Sequence, residues 1–521
     1  MSRGAVGPRY LRRLGALLLV AAFAVRPATA EEFSTPTLTA LRVDWRAALD
    51  QLRAELSLYP SVAGEFVFSG RHGMPAYDPR RTPALVRLNA IAGRFFPSIE
   101  QSSVPALLPF DAAALLGADP DPAPDSPALP AVQAGFETAM FHAGPAGYNA
   151  MFTLDSSASM DLPARVFARS VEIQITGSRL IYDISDPLGG KGEPVKALAA
   201  QYPDLRRFIR EGYLRYAFTR FGAAYVVSVQ CLDSVPRARR LACREAAPVA
   251  ERFLRALHVA GGQPRRPLRD LAATPAERPT VQSDEFTYWP SGEIIAGSGF
   301  RKQDGRPDST VYAQIRFPIE KAPAYARSQS FMPRADDGGA SPFSYPWRDN
   351  FCESRSFGVG QCALGYGHQG QDIRPGSCRP DQQDCDVKQQ GVVAVRDGVL
   401  IRSLKQQAVT LQVNTEREHI RFRYMHMNPA TLDEDGVLSG RRLAEGERFG
   451  VVSNYLDFPN GTTRHLHFDV QVFTPDGWLW VNPYTTLVAS YERLIGGRGR
   501  DLTPAPAAPA VARAGPDETL P

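Results

Sequence analysis

The stretch "RHLHFDV" places His465 and His467 one residue apart in a run of strand-like composition. In an extended chain, side chains two apart leave the same face, so the two imidazoles project together. Adjacent imidazoles pack poorly in a core and suit a shared ligand. Five of the eight histidines in the 521 residues fall between positions 368 and 467. In "GYGHQGQDIRP", His368 stands four residues before Asp372. The glycines there predict a loop rather than a helix, so both side chains can turn toward one point. Imidazole nitrogen and carboxylate oxygen are donors that suit zinc. In "EHIRFRYMHMNP", alternation puts Ile420, Phe422, Tyr424 and His426 on one face and His419, Arg421 and Arg423 on the other. If His426 faces the site, His419 cannot, and His419 is read as a surface residue. His72 and His142 stand alone and are read as packed or surface side chains.

The order of these motifs, H-x-x-x-D, a lone strand histidine, then H-x-H, resembles the lysostaphin/LytM family of zinc metalloendopeptidases, which cut the peptide cross-links of peptidoglycan. The likeness covers roughly residues 343–490. It includes "SFG" at 356–358, "GVVAVRDGVLI", "RRLAEGERFGVVSN" and "GTTRHLHFDV". The resemblance implies that His368, Asp372 and His467 bind one Zn2+ and that His465 and His426 are unliganded catalytic histidines. Three protein ligands would leave a fourth position for water. His465 would then act as general base and His426 as a donor to the developing oxyanion. Tyr366 and Tyr424 flank the motifs and are assigned to packing, while Asp469 is a candidate to support a ligand histidine from behind. The chain departs from the family by inserting "GSCRPDQQDCDVKQQ". It also lacks the arginine common after the lead-in, where Gly360 or its neighbours stand.

These residues need elements to position them. "VAVRDGVLIRSL", "VTLQVNT", "HIRFRYMHM" and "WLWVNP" read as short strands, predicting a mostly antiparallel β domain over 343–490. Residues 31–262 read as an α+β region of open role, with a Pro-rich loop at 117–131. Residues 263–342 read as a linker and approach segment, and 491–521 as an Ala/Pro-rich, disordered tail. The first 30 residues combine a basic start, the apolar run "LGALLLVAAFAV" and the small residues "ATA". That pattern predicts a signal peptide cut after Ala30, because the run is far shorter than the ~20 residues that span a bilayer.

Five of the 59 Lys and Arg lie in that leader, leaving 54 against 55 Asp and Glu. The mature chain is near neutral, and compositional support for a nucleic-acid partner disappears. Export favours disulfides, with the six cysteines falling into the local pairs Cys231–Cys243, Cys352–Cys362 and Cys378–Cys385. The reading is a secreted or periplasmic zinc endopeptidase acting on peptidoglycan. Its alternatives are a non-catalytic wall-binding or amidase-regulating module, or a zinc endopeptidase acting on ordinary proteins. Relatives with occluding N-terminal segments imply that the N-terminal region is an intramolecular lid.

Overall fold

The computed structural model describes residues 33–58, 83–114, 133–154, 171–210, 212–231, 242–265, 271, 274–294, 307–328, 343–376, 390–455 and 463–502. The leader, His72, the loop 117–131, the Cys378–Cys385 pair and the tail beyond residue 502 lie outside these residues. The architecture is β-rich and multidomain, an α+β N-terminal part followed by a mostly antiparallel β part. Among the described residues no helix is long and apolar enough to cross a membrane.

The helix Trp45–Ser57 buries Trp45, Ala48, Leu49, Leu52 and Leu56, an apolar stripe at helical spacing. Asp44 caps it by accepting from the Ala47 amide at 3.0 Å. The helix Cys243–Arg255 buries Ala246, Val249, Ala250, Phe253 and Leu254 in the same way. The Cys231–Cys243 disulfide ties its first residue to the end of a sheet strand. Both stripes pack in one core with residues of a seven-stranded antiparallel sheet. Its order is Phe136–Gly144, Gly147–Leu154, Glu172–Ser178, Ala223–Gln230, Tyr213–Arg220, Arg206–Arg210 and Glu193–Pro194.

The C-terminal sheet runs in the order Ala324–Ala326, Gln371–Pro375, Leu466–Thr474, His419–Met425, Val409–Asn414, Gly398–Ile401 and Arg442–Leu443. Gly477–Val481 also pairs with Leu466–Thr474. Phe286, Tyr312, Ile315, Phe317 and Ile319 are buried in the same core as Phe422 and Phe468. Residues expected to be a linker and approach segment are therefore partly core. Tyr312, Ile315, Phe317 and Ile319 sit on irregular backbone, which carries no periodic signal, whereas Phe286 lies in the strand Gln282–Tyr288. The strand Gln282–Tyr288 pairs in parallel with Arg498–Asp501, so regular structure also continues past residue 491 into the segment expected to be a tail.

The strand Leu466–Thr474 has two occupied faces. Leu466, Phe468, Val470 and Val472 enter the C-terminal core. His467, Asp469, Gln471 and Phe473 alternate with them on the opposite face, and at its far end Phe473 packs with Ile181, Ala217, Ala224 and Val226 of the N-terminal region. His419 belongs to this junction. It is 0% exposed, which corrects its reading as a surface residue. Its Nδ1–H donates to Ser178 Oγ at 2.7 Å, and Nε2 accepts from Asn149 Nδ2 at 3.1 Å. The ring lies against Phe473 and Trp478. Burial, with Arg421 nearby, holds its pKa well below that of a free histidine. Strand parity correctly turned His419 away from the C-terminal core, but the opposite face is covered by another sheet rather than by water. His142 lies in Phe136–Gly144 and is held neutral in the same way, its pKa lowered to about 4 by burial and then by Arg442.

Candidate metal and catalytic site

Register sets the first pair. In the antiparallel ladder, Asp372 lies directly opposite His467, where facing Cβ atoms stand ~4.5–5.5 Å apart. His368 precedes that strand and reaches the same point. The three donors form a compact triangle: His368 Nε2 to His467 Nδ1 is 3.0 Å, and Asp372 Oδ1 is 3.4 Å from His368 Nε2 and 3.3 Å from His467 Nδ1. A tetrahedral zinc with bonds of about 2.0–2.1 Å separates its donors by about 3.3 Å. The triangle therefore fits zinc in size and in donor type. These residues are the one such group of three metal-type donors among the described residues, and all three are buried.

The supporting groups fix which atom of each side chain faces the centre. His368 Nδ1–H donates to the Asn350 carbonyl at 2.9 Å, which leaves the Nε2 lone pair inward. Asn350 also donates from Nδ2 to Asp372 Oδ2 at 3.0 Å, so one residue orients two donors. Asn350 is in turn held by its neighbour Asp349, which accepts from Phe351 N, Gly292 N and Asn482 Nδ2 at 2.8, 2.8 and 2.6 Å. Behind His467, Nε2 lies 3.5 Å from Asp469 Oδ2. Asp469 accepts from Arg423 Nε at 2.7 Å and from Trp480 Nε1 at 3.1 Å. Asn350 and Trp480 were not found from sequence. Asn350 sits in irregular chain 18 residues before His368 and belongs to no motif, so no local signal marks it.

Electrostatics agree with this donor set. Burial raises the pKa of Asp372, but the rings of His368 and His465 overcome that and hold it well below the ordinary carboxylate range. Burial lowers His368, an effect that Asp372 only partly offsets. His467 feels the same burial, yet its contacts with Asp372 and Asp469 leave its pKa raised.

Two further imidazoles complete the cluster. His465 is 0% exposed, and its Nδ1–H donates to the Thr463 carbonyl. Its Nε2 is buried, 3.4 Å from Asp372 Oδ1, and has no hydrogen-bond partner among the described residues. His426 follows the end of its strand with φ 65°, a left-handed conformation. Its ring centre lies 4.8 Å from that of His465 and 5.8 Å from that of His467. Gln407 Oε1 accepts from both the backbone amide and Nδ1–H of His426, at 2.9 and 3.0 Å. Burial, and then the rings of His465 and His467, push the His426 pKa well below the usual value. A neutral ring with its proton on Nδ1 presents an acceptor at Nε2, so His426 can donate from Nε2 only once protonated. Tyr424 is fully buried, and its hydroxyl accepts from the Val395 amide at 3.0 Å.

Gly370 is required by close approach. A Cβ there would lie 2.4 Å from the Phe468 carbonyl oxygen and 2.8 Å from His467 Nε2. Gly370→Ala is expected to push His467 out of the triangle and weaken zinc binding at least ~10-fold. Zinc titration of the purified variant against a competing chelator measures the change.

No protein-family model matches this sequence, and no curated protein matches it. Among solved structures, one from Ruminococcus gnavus, described as a "putative glycyl-glycine endopeptidase lytM", aligns over 26% of this chain with 20% identity and a TM-score of 0.19. The alignment spans 52% of that chain, about half its length.

Proposed function

We propose that the chain is a zinc-dependent endopeptidase of the lysostaphin/LytM type, exported from the cytoplasm, that hydrolyses peptide cross-links of peptidoglycan. The observation that carries this reading is the triangle of His368, Asp372 and His467, with the rings of His465 and His426 beside it. The order of the motifs along the chain supports the family. Two closed disulfides, Cys231–Cys243 and Cys352–Cys362, support export.

His368 Nε2, Asp372 Oδ1 and His467 Nδ1 would hold the ion. Zinc supplies Lewis acidity, which polarises a carbonyl and makes water a stronger acid. The other steps belong to side chains. His465, with its proton on Nδ1 held by Thr463, has its Nε2 lone pair free to take a proton from the attacking water. The Thr463 carbonyl then stabilises the imidazolium that forms. The proton taken up by His465 passes to the leaving amine; His426 Nε2 first accepts a hydrogen bond from water or the substrate, and becomes a donor to the oxyanion only after it takes a proton from solvent. Asn350 and Asp469 keep the donor rings in register throughout.

The mature chain incubated with cross-linked sacculi is expected to release monomeric muropeptides, identified by mass. Chelation should stop the release and added zinc restore it. Casein assayed in parallel separates wall hydrolysis from general proteolysis. Stoichiometric zinc with no muropeptide release would overturn the proposal.

A further inference from the structure

The N-terminal region meets the loop that leads into His368 as well as the far end of the sheet. Residues 352–367 form a rim loop closed by the Cys352–Cys362 disulfide. Within it, Val359 N donates to the Gly365 carbonyl at 3.0 Å and Gly367 N to the Phe357 carbonyl at 2.9 Å. The base of the loop is stitched to His368: Cys352 N donates to the His368 carbonyl at 2.9 Å, and His368 N to the Glu353 carbonyl at 2.8 Å. A displacement of the loop therefore reaches the backbone of a proposed metal ligand. Val359 and both cysteines also pack against Trp480, the residue that holds Asp469 behind His467.

On its other side the rim meets the N-terminal loop at residues 185–190. Gln361 Nε2 donates to the Ser185 carbonyl at 2.8 Å. A Cβ at Gly360 would lie 2.5 Å from Asp186 Oδ1, so the two loops touch with no room for a side chain. The 185–190 loop is braced from within. Asp186 pairs with Arg210, with 7% and 6% of their side chains exposed. Arg210 also donates to the Leu188 carbonyl at 2.7 Å, and Leu188 N to Asp186 Oδ1 at 2.9 Å. The Gly190 amide donates to Asp476 Oδ2 at 2.6 Å, and Asp476 pairs with Arg206 at 2.8 Å. Asp476 lies in the turn after the histidine strand, so the loop is anchored to the C-terminal sheet at a second point. A cover that swings open would have to part the Gln361–Ser185 and Gly190–Asp476 hydrogen bonds and the Arg206–Asp476 pair together, while the buried Asp186–Arg210 pair keeps the 185–190 loop in shape on the N-terminal side.

We propose that the N-terminal domain is a fixed wall of the site, its 185–190 loop holding the 352–367 rim and thereby positioning His368. The expected change in kcat/KM rests on the peptidase reading, but the positioning of His368 does not. Two variants of the full mature chain test it. Gln361→Ala removes one bond between the loops and leaves both cores intact, whereas Gly360→Ala drives a wedge between them. In both, hydrogen exchange within 357–367 is expected to accelerate and zinc affinity, measured by chelator competition, to fall about 10-fold, the range for loss of a group that orients a ligand. With wall peptides, kcat/KM should fall alongside. Melting temperature is measured in parallel. Should Gly360→Ala fail to fold, Gln361→Ala decides alone. Exchange and zinc affinity equal to the parent protein's in Gln361→Ala would overturn the positioning role. A parent chain that binds zinc but leaves sacculi intact removes the peptidase reading, and the exchange and zinc measurements still judge the wall.

Discussion

Replacing His465 with alanine is expected to leave one zinc per chain and to slow peptide hydrolysis about 10²- to 10⁴-fold, the range for loss of a positioned general base. The three donor atoms that converge belong to His368, Asp372 and His467, so metal binding does not need the His465 ring. What disappears is a buried Nε2 with no hydrogen-bond partner among the described residues, 3.4 Å from the Asp372 carboxylate. His467→Ala should instead lose zinc and activity together. Metal analysis beside single-turnover rates distinguishes the two. Loss of zinc from His465→Ala would make that ring a ligand, and activity surviving in His467→Ala would remove the site altogether.

Removing residues 31–265 is expected to yield a C-terminal fragment that does not fold stably, rather than an enzyme relieved of a cover. The cut uncovers the N-terminal side of Phe473 and Trp478, and full burial of a large apolar side chain contributes about 1.5–3 kcal/mol. His419 would lose Ser178 and Asn149, and the Arg421 guanidinium would lose the Asn149 side-chain oxygen Oδ1. Phe33, Leu38 and Tyr182 would leave the C-terminal core itself. Against a typical domain stability of ~5–15 kcal/mol, these losses are comparable to the whole. Soluble yield and thermal melting of the fragment measure the effect. A soluble fragment that melts cooperatively near the parent temperature, with raised activity, would instead favour the lid implied by the family resemblance.

The parts of the site carried by strand periodicity are legible in the sequence. His465 and His467 share a run whose two-residue repeat fixes their common side, and the antiparallel β character of the C-terminal part follows from the same pattern. Support from outside the motifs is not legible. Asn350 and Gln407 act through pairs of hydrogen bonds made by loop residues, and no spacing rule marks such positions. Gln407 also changes the chemistry expected of His426, because an amide oxygen selects the tautomer and a residue pattern cannot. His419 shows a different limit. Parity places its ring opposite the C-terminal core, but the residues that cover it, Asn149 and Ser178, come from about 240–270 positions earlier in the chain. The segment containing Phe317 and Ile319 was read as a connection because its backbone is irregular, although its apolar side chains are core.

The buried ring of His419 bears on how any scan of this chain's imidazoles is interpreted. Scored by product formation alone, a change at His419 would look as damaging as one at His465, since a misassembled joint turns nothing over. The two differ in what survives: one variant would keep a native melt and its cation, the other neither. A count of essential histidines without a folding measurement would therefore credit the chemistry with one ring too many.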